Sequence, residues 1–371
     1  MFTKKIGIFA VFSMSLMSPI HNLMAEEVKV VNGQQFNVFV PNLVSSNEFT
    51  LGALFLRPGG SNDYAVLVSP FNPSVASPIL SPSWETKGIN PGFNPGFSLN
   101  FRHIFAESGN DINVYWAHLR TSDSDSFPVN RNPPPAQQFT GPIWNIGPDA
   151  GTTSGVNGEL KNDYDVLNIE VAKHVNFEPT LKSRFFAGLS GIVLQQQTIA
   201  NFIGTDPILG PYTFGITTDS KYRAVGFRFG AEGEYVTPYN VGIVGLLAGD
   251  LYIGSQKPNT STTGTGSILD AAGIPVNNQS ISHSSYVEVV PALEAKLGIK
   301  YSHPYSCDAS FAIEAGYMAS IYTNAIQNYV PSTYVPGSLG IVSGSVFLQS
   351  LLKSTHSFSL DGPYINISIK M

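Results

Sequence analysis

Apolar and polar side chains alternate one by one through ten stretches of this chain: 48–57, 95–106, 111–121, 160–174, 180–194, 221–235, 239–254, 285–301, 307–322 and 358–370. Successive side chains on a strand point to opposite faces, so a period of two predicts β-strands. In 285–301 one face carries Val287, Val289, Pro291, Leu293, Ala295, Leu297, Ile299 and Tyr301, and the other Glu288, Glu294, Lys296, Gly298 and Lys300. In 221–235, Val225, Phe227, Phe229 and Ala231 oppose Arg228, Gly230, Glu232 and Glu234. In 307–322, Phe311, Ile313, Ala315, Tyr317 and Ile321 oppose Ser310, Glu314, Gly316 and Ser320. Several stretches run to roughly 15 residues, well beyond the ~5–6 usual in globular proteins. A tilted strand needs about 9–11 residues to cross a bilayer, and an excess can continue past it.

The connections alternate in length. Those at 58–94, 122–159, 195–220, 255–284 and 323–357 are long, and those at 107–110, 175–179, 236–238 and 302–306 are short. One rim of short turns and one of long loops is the plan of an outer-membrane barrel, and an even strand count puts both ends of the barrel on the short-turn side. Asp63 to Val68 adds a candidate short strand inside the first long connection. The proline-rich 128–151 and the Thr/Ser/Gly run 258–269 read as loops within one domain.

The start of the chain fixes the compartment. Lys4 and Lys5 precede an apolar stretch from Ile6 to Met17, and Leu23-Met24-Ala25 offers a cleavage site before Glu26. The expected organisation is a signal peptide over 1–25, a periplasmic segment over 26–47 and a barrel over 48–371. The net charge of −6 becomes −8 once Lys4 and Lys5 are removed, and no basic block follows, which argues against nucleic acid as a partner. Charged residues make up 12% and aromatics 12%, a balance that suits a surface partly facing lipid.

No later apolar run spans a membrane as a helix; the longest, Val241 to Gly249, is far too short. Only a closed sheet then satisfies every backbone group in lipid. The fold class that follows is an all-β, transmembrane, antiparallel up-and-down barrel of about ten strands, in the bacterial outer membrane. Polarity alone leaves open which face is inside. Both charge signs and many glycines on the polar face favour lipid outside, as do tyrosines near strand ends, including Tyr164, Tyr222, Tyr235, Tyr252, Tyr286, Tyr301 and Tyr322.

The polar faces supply the candidate lumen residues: Arg102, Glu170, Arg184, Arg228, Asp250, Glu288, Glu294, Lys296 and Glu314. Such charges either knit a small barrel together or set ion selectivity. No nucleotide-binding glycine motif and no G-x-S-x-G elbow occurs, so no catalytic residue, cofactor or metal is expected and the chain reads as a non-enzyme. His103, His118, His174 and His303 stand alone, and His283 between Ser282 and Ser284 is a weak hydrolase signal. Ser122-Asp-Ser-Asp-Ser126 lacks the glycine and distal glutamate of a calcium loop and reads as a solvated turn. Glu107 and Asp111 read as a solvated acidic turn. The single cysteine, Cys307, excludes an internal disulfide and leaves an intermolecular one open.

Several stretches are similar to the Legionella major outer membrane protein family of porin-like barrels. They are Leu51–Pro58, Asn94–Arg102, Asp111–Arg120 with Thr121–Ser126, Gly141–Trp144, Tyr164–Asn168, Phe186–Ser190 and Ser359–Tyr364, in order along the chain. Ile365, Ile367, Ile369 and Met371 alternate with polar residues to the chain end, which resembles an outer-membrane assembly signal, although Met371 stands where an aromatic residue is usual. The resemblance implies passive diffusion of small polar solutes or ions. Ten strands lie nearer the filled than the open end of the barrel series, so a surface-exposed structural or adhesive barrel with a plugged lumen is the alternative, and a soluble secreted β protein a third. Expected partners are outer-membrane lipid and the barrel-assembly machinery; a homo-oligomer, and host or surface ligands reached through the loops, stay open.

Overall fold

A computed structural model describes residues 29–31, 34–36, 38–69, 83–130, 138–141, 153–206, 210–265, 279–306, 309–338 and 345–371. The expected signal peptide and Cys307 lie outside these residues.

In chain order the strands are β1 (Lys29–Val31), β2 (Gln34–Phe36), β3 (Ser46–Gly59), β4 (Asp63–Ser69), β5 (Ser83–Gly88), β6 (Asn94–Ile104), β7 (Asn110–Pro128) and β8 (Phe139–Gly141). They continue as β9 (Thr153–Asn176), β10 (Leu181–Asp206), β11 (Gly210–Val236), β12 (Val241–Thr265), β13 (Gln279–Ser282), β14 (Tyr286–Pro304), β15 (Ser310–Ser338) and β16 (Ser345–Lys370). No helix occurs among the described residues. Ten strands close into one antiparallel ring, β3-β6-β7-β9-β10-β11-β12-β14-β15-β16, and β16 returns to β3 with Lys370 opposite Glu48. Each strand of the ring is thus the neighbour of the next in sequence, and each matches one of the ten alternating stretches. The short connections are tight turns, two of them built on left-handed residues: Glu107 and Gly109 in one, Asn240 in another.

Burial settles the face question. The ring turns Phe49, Leu51, Leu99, Leu167, Ile169, Val225, Phe227, Phe229, Leu247, Leu293, Leu297, Ile313, Ile365 and Ile367 outward. It turns Glu170, Arg184, Arg228 and Asp250 inward. An apolar belt outside and charge inside is the arrangement of a barrel in lipid, the reverse of a soluble sandwich. Aromatic residues ring the short-turn rim, with Phe105, Tyr235, Tyr239, Tyr301 and Tyr305 exposed.

The loops differ from the sequence expectation. Strands β10, β11, β12, β15 and β16 run for 26, 27, 25, 29 and 26 residues, more than twice a bilayer crossing. Much of 195–220, 255–265 and 323–357, expected as loop, is therefore continuous ladder. Ser261, Thr262 and Thr263 of the Thr/Ser/Gly run pair with Thr217, Ile216 and Gly215. Small β-branched polar residues suit a two-sided ladder, and loop-like composition did not outweigh that. The Ser122–Ser126 stretch is likewise strand, paired with Asn157–Lys161 of β9. Its carboxylates serve neighbouring chain: Asp125 accepts from the Tyr64 hydroxyl at 3.1 Å and Asp123 from the Gly92 N–H at 3.0 Å.

The Asp63–Val68 expectation holds as β4, which pairs with β5 and β8 in a small separate sheet. This sheet covers the inner face of the tall strands. Tyr64, Ala65 and Ile89 pack with Val156, Leu160, Ala200, Phe202, Tyr212, Phe214 and Ile216. Gly158 lies directly under the Tyr64 ring, where a Cβ would come within 2.7 Å of it. Burial and the Asp125 carboxylate push the Tyr64 hydroxyl pKa up, so it stays a donor.

Candidate functional site: a lumen in layers

The interior is stacked in layers that follow from the inward positions of successive strands, which on β7 are the odd-numbered Asp111, Asn113, Ala117, Leu119 and Thr121. In the half of the barrel toward the short turns lies a charge network. Arg184 on β10 donates to both carboxylate oxygens of Asp111 at 2.8 Å, to Glu170 at 3.1 Å and to Glu232 at 3.0 Å. Arg228 on β11 donates to Glu170 at 2.9 Å, Asp250 at 2.9 Å and Glu294 at 2.7 Å. Arg102 reaches Glu232 at 3.0 Å from β6, and Lys296 pairs with Glu294 at 2.9 Å. Both guanidinium groups lie over the Phe186 ring, at 5.1 and 5.6 Å from its centre. A planar fork with several donors is what lets one arginine serve three carboxylates.

Seven of the nine expected lumen residues therefore meet in one network: Arg102, Glu170, Arg184, Arg228, Asp250, Glu294 and Lys296. Glu314 faces the same space and accepts from the Tyr364 hydroxyl at 2.7 Å. Glu288 stands apart, nearer the long hairpins, 3.6 Å from Lys353. Sequence reading missed three members. Glu232 was visible on the polar face of β11. Asp111 is a correction: it is buried at 2% exposure, not a solvated turn, and it accepts from His174 at 2.7 Å as well as from Arg184. It opens β7 on the inward register, and turn composition concealed that. His174, read as solitary, is the third. His283 stacks on Tyr329 with its Nδ1 on the Ser284 carbonyl, so it is engaged without a serine hydroxyl.

Below the network, toward the short turns, the lumen opens as a polar bowl of about 540 Å³ whose lining includes Glu48, Arg102, Glu232, Lys300 and Glu314. Above it an aromatic layer spans the barrel. Tyr164, Tyr222, Tyr252, Tyr322, Phe358 and Tyr364 are all buried there, with Leu54, Leu56, Leu119, Leu194, Met318 and Ile326 between them. Strands β9 and β15 are five places apart in a ring of ten, hence on opposite walls. Yet the hydroxyls of Tyr164 on β9 and Tyr322 on β15 hydrogen-bond at 2.6 Å. Lys296 on β14 likewise reaches over the Tyr115 ring of β7, opposite it, at 4.7 Å. The layer is completed by an irregularity in β15, where pairing with β16 lapses between Tyr322 and Ile326 and Asn324 is left-handed. That bulge turns Ala325 and Ile326 inward. A polar layer follows, in which Gln196 donates to Asn162, Asn162 to Thr121 and Gln256 to Ser220.

The model of one protein family, described as the Legionella pneumophila major outer membrane protein precursor, matches residues 39–371, nearly the whole chain. The chain belongs to this family. The ring of strands and its apolar belt place this family member in the bacterial outer membrane. No curated protein matches. Among solved structures, the outer membrane protease OmpT of Escherichia coli is similar at 8% identity and a TM-score of 0.39, covering 88% of this chain and 98% of that one. A FadL homologue of Pseudomonas aeruginosa follows at 9% and 0.23, covering 88% and 90%. The toluene transporter TodX of P. putida stands at 7% and 0.17, covering 88% and 89%. None of these scores is high enough to carry an argument about activity.

Proposed function

We propose that this family member works as a closed, surface-displayed barrel whose lumen is plugged and whose outer hairpins carry its interactions. The observation that supports this most is the hydrogen bond between Tyr164 and Tyr322 across the full width of the barrel. A path for polar solutes would have to break it and part the side chains around it. The height of the hairpins and the small sheet packed inside them add support, since they give the outer end a core of its own. Adhesion through such an outer end needs no conduit.

A second reading, passive diffusion of small polar solutes or ions, draws support from the charged bowl of about 540 Å³ on the short-turn side. In that reading the aromatic layer is a gate, and the bowl is the selective vestibule. Planar-bilayer recording of the refolded protein separates the two. The plugged reading expects no conductance steps from the wild type. Regular steps at low voltage would overturn it in favour of diffusion. Replacing 196–220 of the β10–β11 hairpin by a tight turn should then abolish surface binding while the barrel still folds.

A further inference from the structure

On the outer wall, the boundary between apolar belt and polar rim carries an unusual cluster. Rows of the sheet can be followed around the barrel. One row holds Trp116, Leu167, Gly191, Val225, Ile253 and Val289, all apolar or side-chain-free. The next row toward the hairpins holds His118, Asp165, Val193, Arg223 and Ser255. Above that come Arg120, Asp163, Gln195, Lys221 and Lys257. The headgroup level of the outer leaflet therefore falls on these two upper rows.

Gly191 leaves a groove in the wall. It has a volume of about 450 Å³, with Trp116, Leu167, Val193, Val225 and Ile253 along it and Arg223 at its head. Just above, Lys221 and Lys257 stand directly opposite each other on neighbouring strands, on the same outward face. Like charges so placed destabilise a ladder unless an anion lies between them. None of the three cations has an ion pair among the described residues. Two carboxylates lie near: Asp165 accepts from His118 at 2.9 Å, and Asp219 accepts from the neutral Gln195 amide at 3.0 Å and attracts Lys221 and Lys257 without forming an ion pair with either. On the far side of the barrel the comparable outward cation, Arg57, is neutralised by Asp361 at 3.1 Å.

We infer that this groove and its three cations bind a phosphorylated glycolipid of the outer leaflet, with an acyl chain along Gly191 and a phosphate between Lys221, Arg223 and Lys257. Both parts of the ligand are demanded at once. An apolar groove alone takes any acyl chain, and a cation cluster alone takes any anion. Stacked in this order at this height, they match a lipid whose charge sits on phosphate directly above its chains.

Native mass spectrometry of the full barrel in detergent tests this, with lipid A as probe against the same lipid enzymatically stripped of phosphate. Lipid A should be retained, and the stripped lipid should be lost at least in part. The triple variant Lys221→Ser, Arg223→Ser, Lys257→Ser should weaken lipid A binding by roughly fivefold per removed cation. Gly191→Leu should weaken it about tenfold by filling the groove. That substitution has room, since a Cβ there meets nothing closer than 3.9 Å. The charge-conserving pair Lys221→Arg, Lys257→Arg should keep wild-type binding. Unboiled electrophoretic mobility confirms folding of each variant. Equal retention of both lipids, or full binding by the folded triple variant, would overturn the inference.

Discussion

The two middle layers of the lumen are held together by different physics. The charge network is held by directional pairs: each arginine serves three carboxylates, and Glu170 is shared between both. The aromatic layer is held by shape, with rings 5.8–6.5 Å apart and one hydroxyl pair at its centre. Breaking a buried pair strands a charge, whereas shaving a ring leaves a cavity. The network thus ties several walls together through charge, and the aromatic layer joins opposite walls through rings and one hydroxyl pair. The network leaves space around it, as the polar bowl shows, while the aromatic side chains are buried against one another.

The largest effect is expected from Arg184→Ala. It takes one cation from each of Asp111, Glu170 and Glu232, leaving them only His174, Arg228 and Arg102, and should cost about 3–5 kcal/mol in urea unfolding of the lipid-refolded barrel. A loss no greater than that of a surface substitution would show that water reaches the network freely. Next comes Phe358→Ala, at about 3 kcal/mol from a ring-sized cavity. Combined with Tyr164→Ala and Tyr322→Ala it should create conductance steps absent from the wild type. A silent triple variant would place the barrier in the layers above. Tyr322→Phe should cost about 1–3 kcal/mol, because it leaves the buried Tyr164 hydroxyl without its partner. The double variant Tyr164→Phe, Tyr322→Phe should recover most of that, and a double variant worse than either single one would break the shape-driven account of this layer. The smallest effect belongs to Arg57→Gln on the outer wall, where the unfolding midpoint should hardly move.

Much of the barrel was legible along the chain. Lipid on one face and charge on the other impose a period of two that hairpins such as 221–254 display openly. The tall upper strands were not legible, because lipid stops there. Gln195, Gln196, Gln197, Thr198 and Thr217, Thr218 have no apolar outward face to mark them, and their pairing partners are what make them strand. The site was legible as a set of polar inward positions, but not as a network. Asp111 sits at a turn by sequence and at the centre of three donors in space.

Alternation by itself determined ten strands and their antiparallel order, because each of these depends only on neighbours along the chain, whereas the outward belt was settled by burial in the closed ring. That Tyr164 and Tyr322, 158 positions apart, meet across the ring was decided only by the tertiary structure. The same holds for Lys221 and Lys257, each unremarkable until register set them side by side. A ring brings opposite walls within reach of a side chain, and that distance is fixed by closure, which no local pattern encodes.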